Sequence, residues 1–479
     1  VERTNSGVLL LIVYLLLAVY LFPFYPESGS LNELTDWATT ASLVESNTFD
    51  ISAMERIVGG RFESVERIPN RGVYSTKPPG LALISAPFYA ITRTVLGAPT
   101  SGNIRTSWYV LRLVFGTMPL LLLAIWLNNR EVDSYSMAVL LFATPMLPYS
   151  MLYYRHVFVA IIVYMSFRLM YDVRRAAPET CFSAAFLLGV AILCDYTAVV
   201  PTIVFGIGML TMDRIDKVRR ILFFATGILA PLAALFSYYF FVFGSPLAIL
   251  DQLAVSVPGF GTVGAYLFSP SHGLLVFSPV FILAVLALPG SDEAGVRRQV
   301  VKIAAVVLTF IAVCTTEINP DGTDIGPRHL IIIMPFLLDS FFDGEIEEYP
   351  SNWRGIIFSV SFVFASLPLL THAFAPAALR YPHNSYWIPL LIEKSVFGQT
   401  LANTFDAAIS FWTILPAALL LMSALFLVWR DAKYRVSFGI GIFVGFAIAA
   451  AYFFTTRLEP DAAAKFVEQV QAFSLPIRY

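Results

Sequence analysis

Most of this chain consists of apolar stretches about 15 to 25 residues long, parted by short polar loops rich in arginine and lysine. Lipid offers the backbone no hydrogen-bond partners, so stretches of this kind must bond internally, as helices do. We read about thirteen of them, near 7–24, 107–127, 134–150, 156–172, 180–194, 197–212, 219–243, 273–289, 299–317, 328–342, 355–375, 407–429 and 436–454. Charged residues make up 13% of the chain, roughly half the share in soluble domains. The expected fold is an all-α polytopic membrane bundle, one domain over 1–454 with a tail at 455–479. A net charge of −2 gives no electrostatic case for nucleic acid. Cys181, Cys194 and Cys314 lie in apolar segments, at no metal or disulfide spacing.

Basic residues orient the bundle. Arg174-Arg175, Arg214 to Arg220, Arg297 to Lys302 and Arg430 to Arg435 fall on one side of those spans, which is then cytoplasmic. The N-terminus shares that side, in an integral protein of the cell (plasma or inner) membrane. The segment 7–24 is too long for a signal-peptide core and reads as a retained span. The stretch 81–96 is apolar enough to cross, but a crossing there would put every later basic loop outside. It is expected to lie along the outer leaflet or to dip in and return. In the tail, Phe466, Val467, Val470 and Phe473 stand at helical spacing and suggest an interfacial helix.

The first polar loop, 25–80, is the longest, and long loops tend to be functional. Glu33 and Asp36 are three apart, on one face of a helix. Acids at a low-dielectric boundary suit a general base. A surface helix with solvated acids is the plainer reading of the spacing. Lys77 precedes Pro78-Pro79, which hold its backbone extended, and a lysine on a rigid mount suits a phosphate. The plainer reading is a lysine snorkelling at a helix start. Arg155-His156, Ser271-His272 and Arg328-His329 each open a span at its outer end. Singly they are interfacial anchors; converging, they would bind an anion. Tyr74 and Asp195 would line the same face. The loop Glu317 to His329 carries Glu317, Asp321 and Asp324. These acids would suit a divalent cation, or merely a polar hairpin tip. No other cofactor is indicated.

Several of these stretches also resemble a known family. Tyr74-Ser-Thr-Lys-Pro-Pro-Gly80, with the Ala-Pro-Phe-Tyr run after it, is similar to the Lys/His-Pro-Pro element of the GT-C membrane glycosyltransferases. That group includes protein O-mannosyltransferases, the aminoarabinose transferase of lipid A and family 39 relatives. Thr35 to Asp50 resembles their first-loop helix, and Leu267 to Pro279 and Gly326 to Leu337 resemble later elements. The family shows Asp-Glu where this chain reads Asn32-Glu33, with Asp36 a turn later. The resemblance implies juxtamembrane helices in an extracytoplasmic first loop. It also implies a polyprenyl-phosphate-linked sugar donor, inverting transfer to a lipid, glycan or protein acceptor, and a first-loop carboxylate base, Glu33 or Asp36. The donor phosphate would then meet Lys77, Arg328, His329 and Arg155, with Tyr74, His156, Asp195, His272 and Glu317 lining the site. The rival reading is a non-catalytic GT-C-like scaffold, or a lipid-binding subunit of a larger membrane complex. A third is a transporter of lipid-linked sugars, against which stand the missing internal repeats.

Overall fold

The computed structural model describes residues 3–21, 31–58, 62–100, 104–171, 178–211, 216–248, 259–287, 296–315, 326–344, 349–371, 379, 381–393, 395–405 and 407–455. The first apolar stretch is helix α1 (Arg3–Tyr20). The first loop then folds as α2 (Leu31–Ser46), α3 (Ser52–Val58) and an antiparallel hairpin, β1 (Val65–Ile68) with β2 (Gly72–Ser75). The hairpin pairs Val65 with Ser75 and Ile68 with Gly72 around a turn at Pro69-Asn70-Arg71. Asn70 takes a positive φ there, which asparagine tolerates better than most residues.

Pro78-Pro79 start α4 (Gly80–Leu96), which packs on α2. Next come α5 (Ile104–Arg112) and α6 (Met118–Asn128), joined by a π-helical turn, Leu113–Thr117, into one long helix. Then follow α7 (Ser134–Phe142), α8 (Met146–Tyr149), α9 (Arg155–Tyr171), α10 (Pro178–Cys194), α11 (Val199–Leu210) and α12 (Lys217–Phe243). The remainder comprises α13 (Phe260–Phe268), α14 (Leu274–Phe277), α15 (Val280–Leu286), α16 (Val296–Thr315), a 3-10 stretch Arg328–Ile333, α17 (Met334–Leu337), α18 (Asp339–Phe342) and α19 (Ser351–Leu370). After π-helical turns at 383–393 come α20 (Phe411–Asp431) and α21 (Arg435–Thr455).

Among the described residues, six helices are long and apolar enough to cross a membrane: Thr106–Asn128, α12, α16, α19, α20 and α21 up to Phe454. Shorter apolar helices include Ser6–Tyr20, α4, Glu179–Cys194 and Tyr196–Leu210. Three stretches expected as single spans are interrupted. The stretch 134–150 leaves helix at Ala143 and restarts after Pro145; 273–289 breaks at Ser278 and restarts after Pro279; 328–342 is a 3-10 turn and two short helices. Proline lacks the N–H that would continue the preceding turn, so it sits best at a helix start. The expected helix at 466–473 lies outside the described residues, as do Glu317, Asp321 and Asp324.

The two ends of the bundle are marked by α1 and α20. Tyr20, at the C-terminal end of α1, donates to the Thr413 carbonyl at 2.6 Å, while Arg430 bonds Ser6 at the other end. The first loop crowns the Tyr20 end.

Candidate functional site

Helix α2 is the centre of that end. Its residues from Glu33 to Ala41 are all buried, acids included. A buried polar group needs a partner, and each side of α2 supplies one. Thr35 Oγ1 donates to the Glu63 carbonyl at 2.8 Å, and Trp37 Nε1 to Ser107 Oγ at 3.1 Å. Thr40 Oγ1 meets the Tyr153 hydroxyl at 3.0 Å and Ser85 Oγ at 3.2 Å. The solvated surface helix that the spacing alone suggests is not what forms.

The two first-loop acids have different fates. Arg112 grips both oxygens of Glu33, at 2.5 and 2.6 Å, and the Tyr153 amide donates to the same carboxylate at 2.7 Å. Glu33 is 1% exposed. Its carboxylate is thus committed to joining α2, α5 and the loop before α9. Arg112 was missed in the sequence; the signal was a lone arginine inside an otherwise apolar stretch. Asp36 faces the cations expected to bind phosphate. One Arg155 nitrogen lies 3.0 Å from both its oxygens, and Lys77 Nζ is 3.8 Å away. Arg155 also donates to the Cys194 carbonyl at 3.2 Å, and Lys77 to the Asn32 carbonyl at 2.8 Å.

Lys77 is 8% exposed, so it does not snorkel into solvent. Burial pulls its ammonium down, Asp36 pushes back, and nearby Arg155 and Arg328 add repulsion. It ends at about 7. Its strand end is clamped by tyrosines: Tyr239 and Tyr196 donate to the Thr76 carbonyl at 3.0 and 3.3 Å, and Tyr238 to that of Ser75. Gly80 follows at the closest approach of α4 to α10. A Cβ there would sit 2.4 Å from the Leu193 carbonyl oxygen, so only glycine fits.

Next to Arg155, His156 Nδ1 lies 3.1 Å from Asp195 Oδ2. The other oxygen of Asp195 accepts from the Thr197 amide at 3.0 Å and its hydroxyl at 2.8 Å. Burial raises this carboxyl, but the bond to His156, the Arg155 guanidinium and the Thr197 amide outweigh it and hold it below the usual carboxylate range. The His156 ring stacks on Tyr154 with centroids 5.9 Å apart, and stands edge-on to His329 at 5.8 Å. Arg328 Nε donates to His329 Nε2 at 3.1 Å. The turn before it uses Gly326 at φ +61°, where a Cβ would strike the Phe277 ring at 2.8 Å.

Lys77, Asp36, Arg155, His156, Asp195, Arg328 and His329 are thus brought together. The Tyr74 hydroxyl turns back to the Arg71 carbonyl at 2.9 Å and braces the hairpin instead. His272 Nδ1 meets Ser271 Oγ at 2.8 Å. Among the described residues no three His, Cys, Asp or Glu side chains are placed to hold a metal; the acids proposed for that role are not among them.

No family model and no curated protein sequence matches this chain. Solved structures do. The chain is similar to ArnT from Cupriavidus metallidurans in the apo state, with a TM-score of 0.52 at 14% identity over 94% of this chain and 77% of that one. The same protein bound to undecaprenyl phosphate gives 0.52 at 13% identity, over 93% and 76%. The archaeal oligosaccharyltransferase AglB from Archaeoglobus fulgidus, in complex with an inhibitory peptide and a dolichol-phosphate, gives 0.44 at 12%, over 92% and 56%. The bundle has an ArnT-like fold, so the resemblance to GT-C membrane glycosyltransferases read from the sequence holds at the level of fold.

Proposed function

We propose that this protein is an inverting glycosyltransferase. It moves a sugar from a polyprenyl-phosphate donor to an acceptor hydroxyl, on the extracytoplasmic face of the cell membrane. The observation that carries the reading is the buried meeting of Lys77 and Arg155 on Asp36, with Arg328 in electrostatic reach. Two cations sharing one carboxylate form a ready phosphate site, since one positive charge is left over for an incoming phosphate. Asp36 holds the two cations in place as the donor binds. They then stabilise the charge that develops on the departing lipid phosphate, usually the largest catalytic contribution. Fold likeness alone would not support this; the undecaprenyl phosphate named for the ArnT structure gives the donor class added weight.

The test is a transfer assay in nanodiscs with polyprenyl-phosphate sugars and a panel of lipid, glycan and protein acceptors. Donor binding is measured alongside. Wild type should transfer, and Lys77→Gln should weaken donor binding at least tenfold. Donor bound without any transfer would support the scaffold reading, and neither would remove both.

A further inference from the structure

We propose that His156, steered by Asp195, takes the proton of the acceptor hydroxyl; the inference rests on the glycosyl-transfer reading. Four observations carry it. Glu33 is committed to Arg112 and the Tyr153 amide. Asp36 is committed to Arg155 and Lys77, and its negative charge is needed there. His156 gives its Nδ1 side to Asp195, which Thr197 anchors. That contact sets the tautomer and leaves the Nε2 lone pair to act as a base. Among the described residues Nε2 makes no hydrogen bond, and it is not sealed off from solvent. The neighbouring His329 differs, because its Nε2 already accepts from Arg328.

The step balances. An acceptor oxygen attacks the anomeric carbon, and the bond from that carbon to the phosphate oxygen breaks. Its electron pair leaves on the lipid phosphate, facing Lys77, Arg155 and Arg328. The hydroxyl proton passes to His156 Nε2, and the imidazolium is held by the Asp195 carboxylate. A base oriented by a buried acid is a recurring device in group transfer. His156 is the catalytic residue in this scheme and Asp195 a positioning residue.

Wild type, His156→Ala, His156→Gln and Asp195→Asn are compared in nanodiscs for transfer and for donor affinity. Retained donor binding shows that each variant is folded. The expected result is a fall in kcat of about a hundredfold or more in both His156 variants. Donor Kd should stay within about threefold, the mark of a group that acts only in the transition state. Added imidazole should restore His156→Ala in proportion to its concentration, which a structural role would not produce. Asp195→Asn should lose kcat without gaining from imidazole. A wild type that transfers while His156→Ala keeps kcat within about tenfold, or gains nothing from imidazole, overturns the dyad and leaves the glycosyl-transfer reading standing. A wild type that binds donor but never transfers overturns both.

Discussion

Lys77 is a buried ammonium poised near neutrality, and that gives the proposed donor site a pH dependence of definite sign. Burial lowers its pKa to about 7 in the free protein, and a bound phosphate would raise it again by direct attraction. Donor affinity should therefore be full below pH 7 and weaken as pH rises past it, by up to tenfold per unit. Lys77→Arg stays charged throughout, so its donor Kd should be flat from pH 6 to 9; a wild-type Kd equally flat would remove Lys77 from the phosphate. The two acids also separate cleanly. Glu33→Gln leaves Arg112 buried against a neutral partner, a change that costs about 3–5 kcal/mol. It should lower melting temperature and yield while the surviving protein keeps most of its kcat. Asp36→Asn should chiefly weaken donor binding, because Arg155 and Lys77 lose the group that holds them. A Glu33→Gln protein of normal stability with a hundredfold lower kcat would return the base role to Glu33.

At the scale of elements, α4 mounts Lys77 against the bundle, and Gly80 sets how closely. Any Cβ at Gly80 collides with the Leu193 carbonyl and the Cys194 amide nitrogen, in the residue whose own carbonyl Arg155 uses. Gly80→Ala should therefore lower thermal stability and weaken donor binding together, whereas Gly264→Ala, which meets open space, should change neither. Equal behaviour of the two would mean that α4 yields at no cost. The placing of Lys77 was legible in the sequence because Pro78-Pro79-Gly80 is local chemistry: two prolines fix the entry and glycine permits the contact. The pairing of Lys77 and Arg155 with Asp36 was half legible, since the residues were named but not their partners. Arg155 and Asp36 lie 119 positions apart, and no local pattern carries that contact. The hairpin was overlooked although Ile68-Pro69-Asn70-Arg71-Gly72 is a turn signal between two short alternating runs. The broken stretches were misjudged because hydropathy averages over a proline that the backbone cannot ignore.

For the whole molecule, a second buried charge cluster lies at the end opposite the site. Arg155 opens α9 at the site end, and Arg168 stands near the other end of the same helix. From the positive-inside pattern we propose that the far end is cytoplasmic, which cysteine labelling can check. The native cysteines are buried, and new ones at 102 and 218 should label from opposite sides; labelling from one side would sink the orientation. There Asp339, fully buried, accepts from Tyr164 and Arg168 at 2.7 Å each, from Arg298 at 2.7 Å and from Lys302 at 3.1 Å. Asp343 takes a second bond from Arg298 at 3.0 Å. One carboxylate thus ties α9, α16 and α18 together, and Lys302 itself is fully buried. Such a cluster is a poor source of net stability when complete but a costly one to break, because the cations left behind keep their desolvation penalty. Asp339→Asn should cost about 3–5 kcal/mol, seen as a large fall in melting temperature in detergent and poor yield. Lys302→Met alone removes a buried cation, not the hub, and should cost less. Combined with Asp339→Asn it should recover part of the loss, since the two side chains share one contact. If Asp339→Asn melts like the wild type, the cluster is not what holds these helix ends together, and the far end must be fastened by its apolar packing alone.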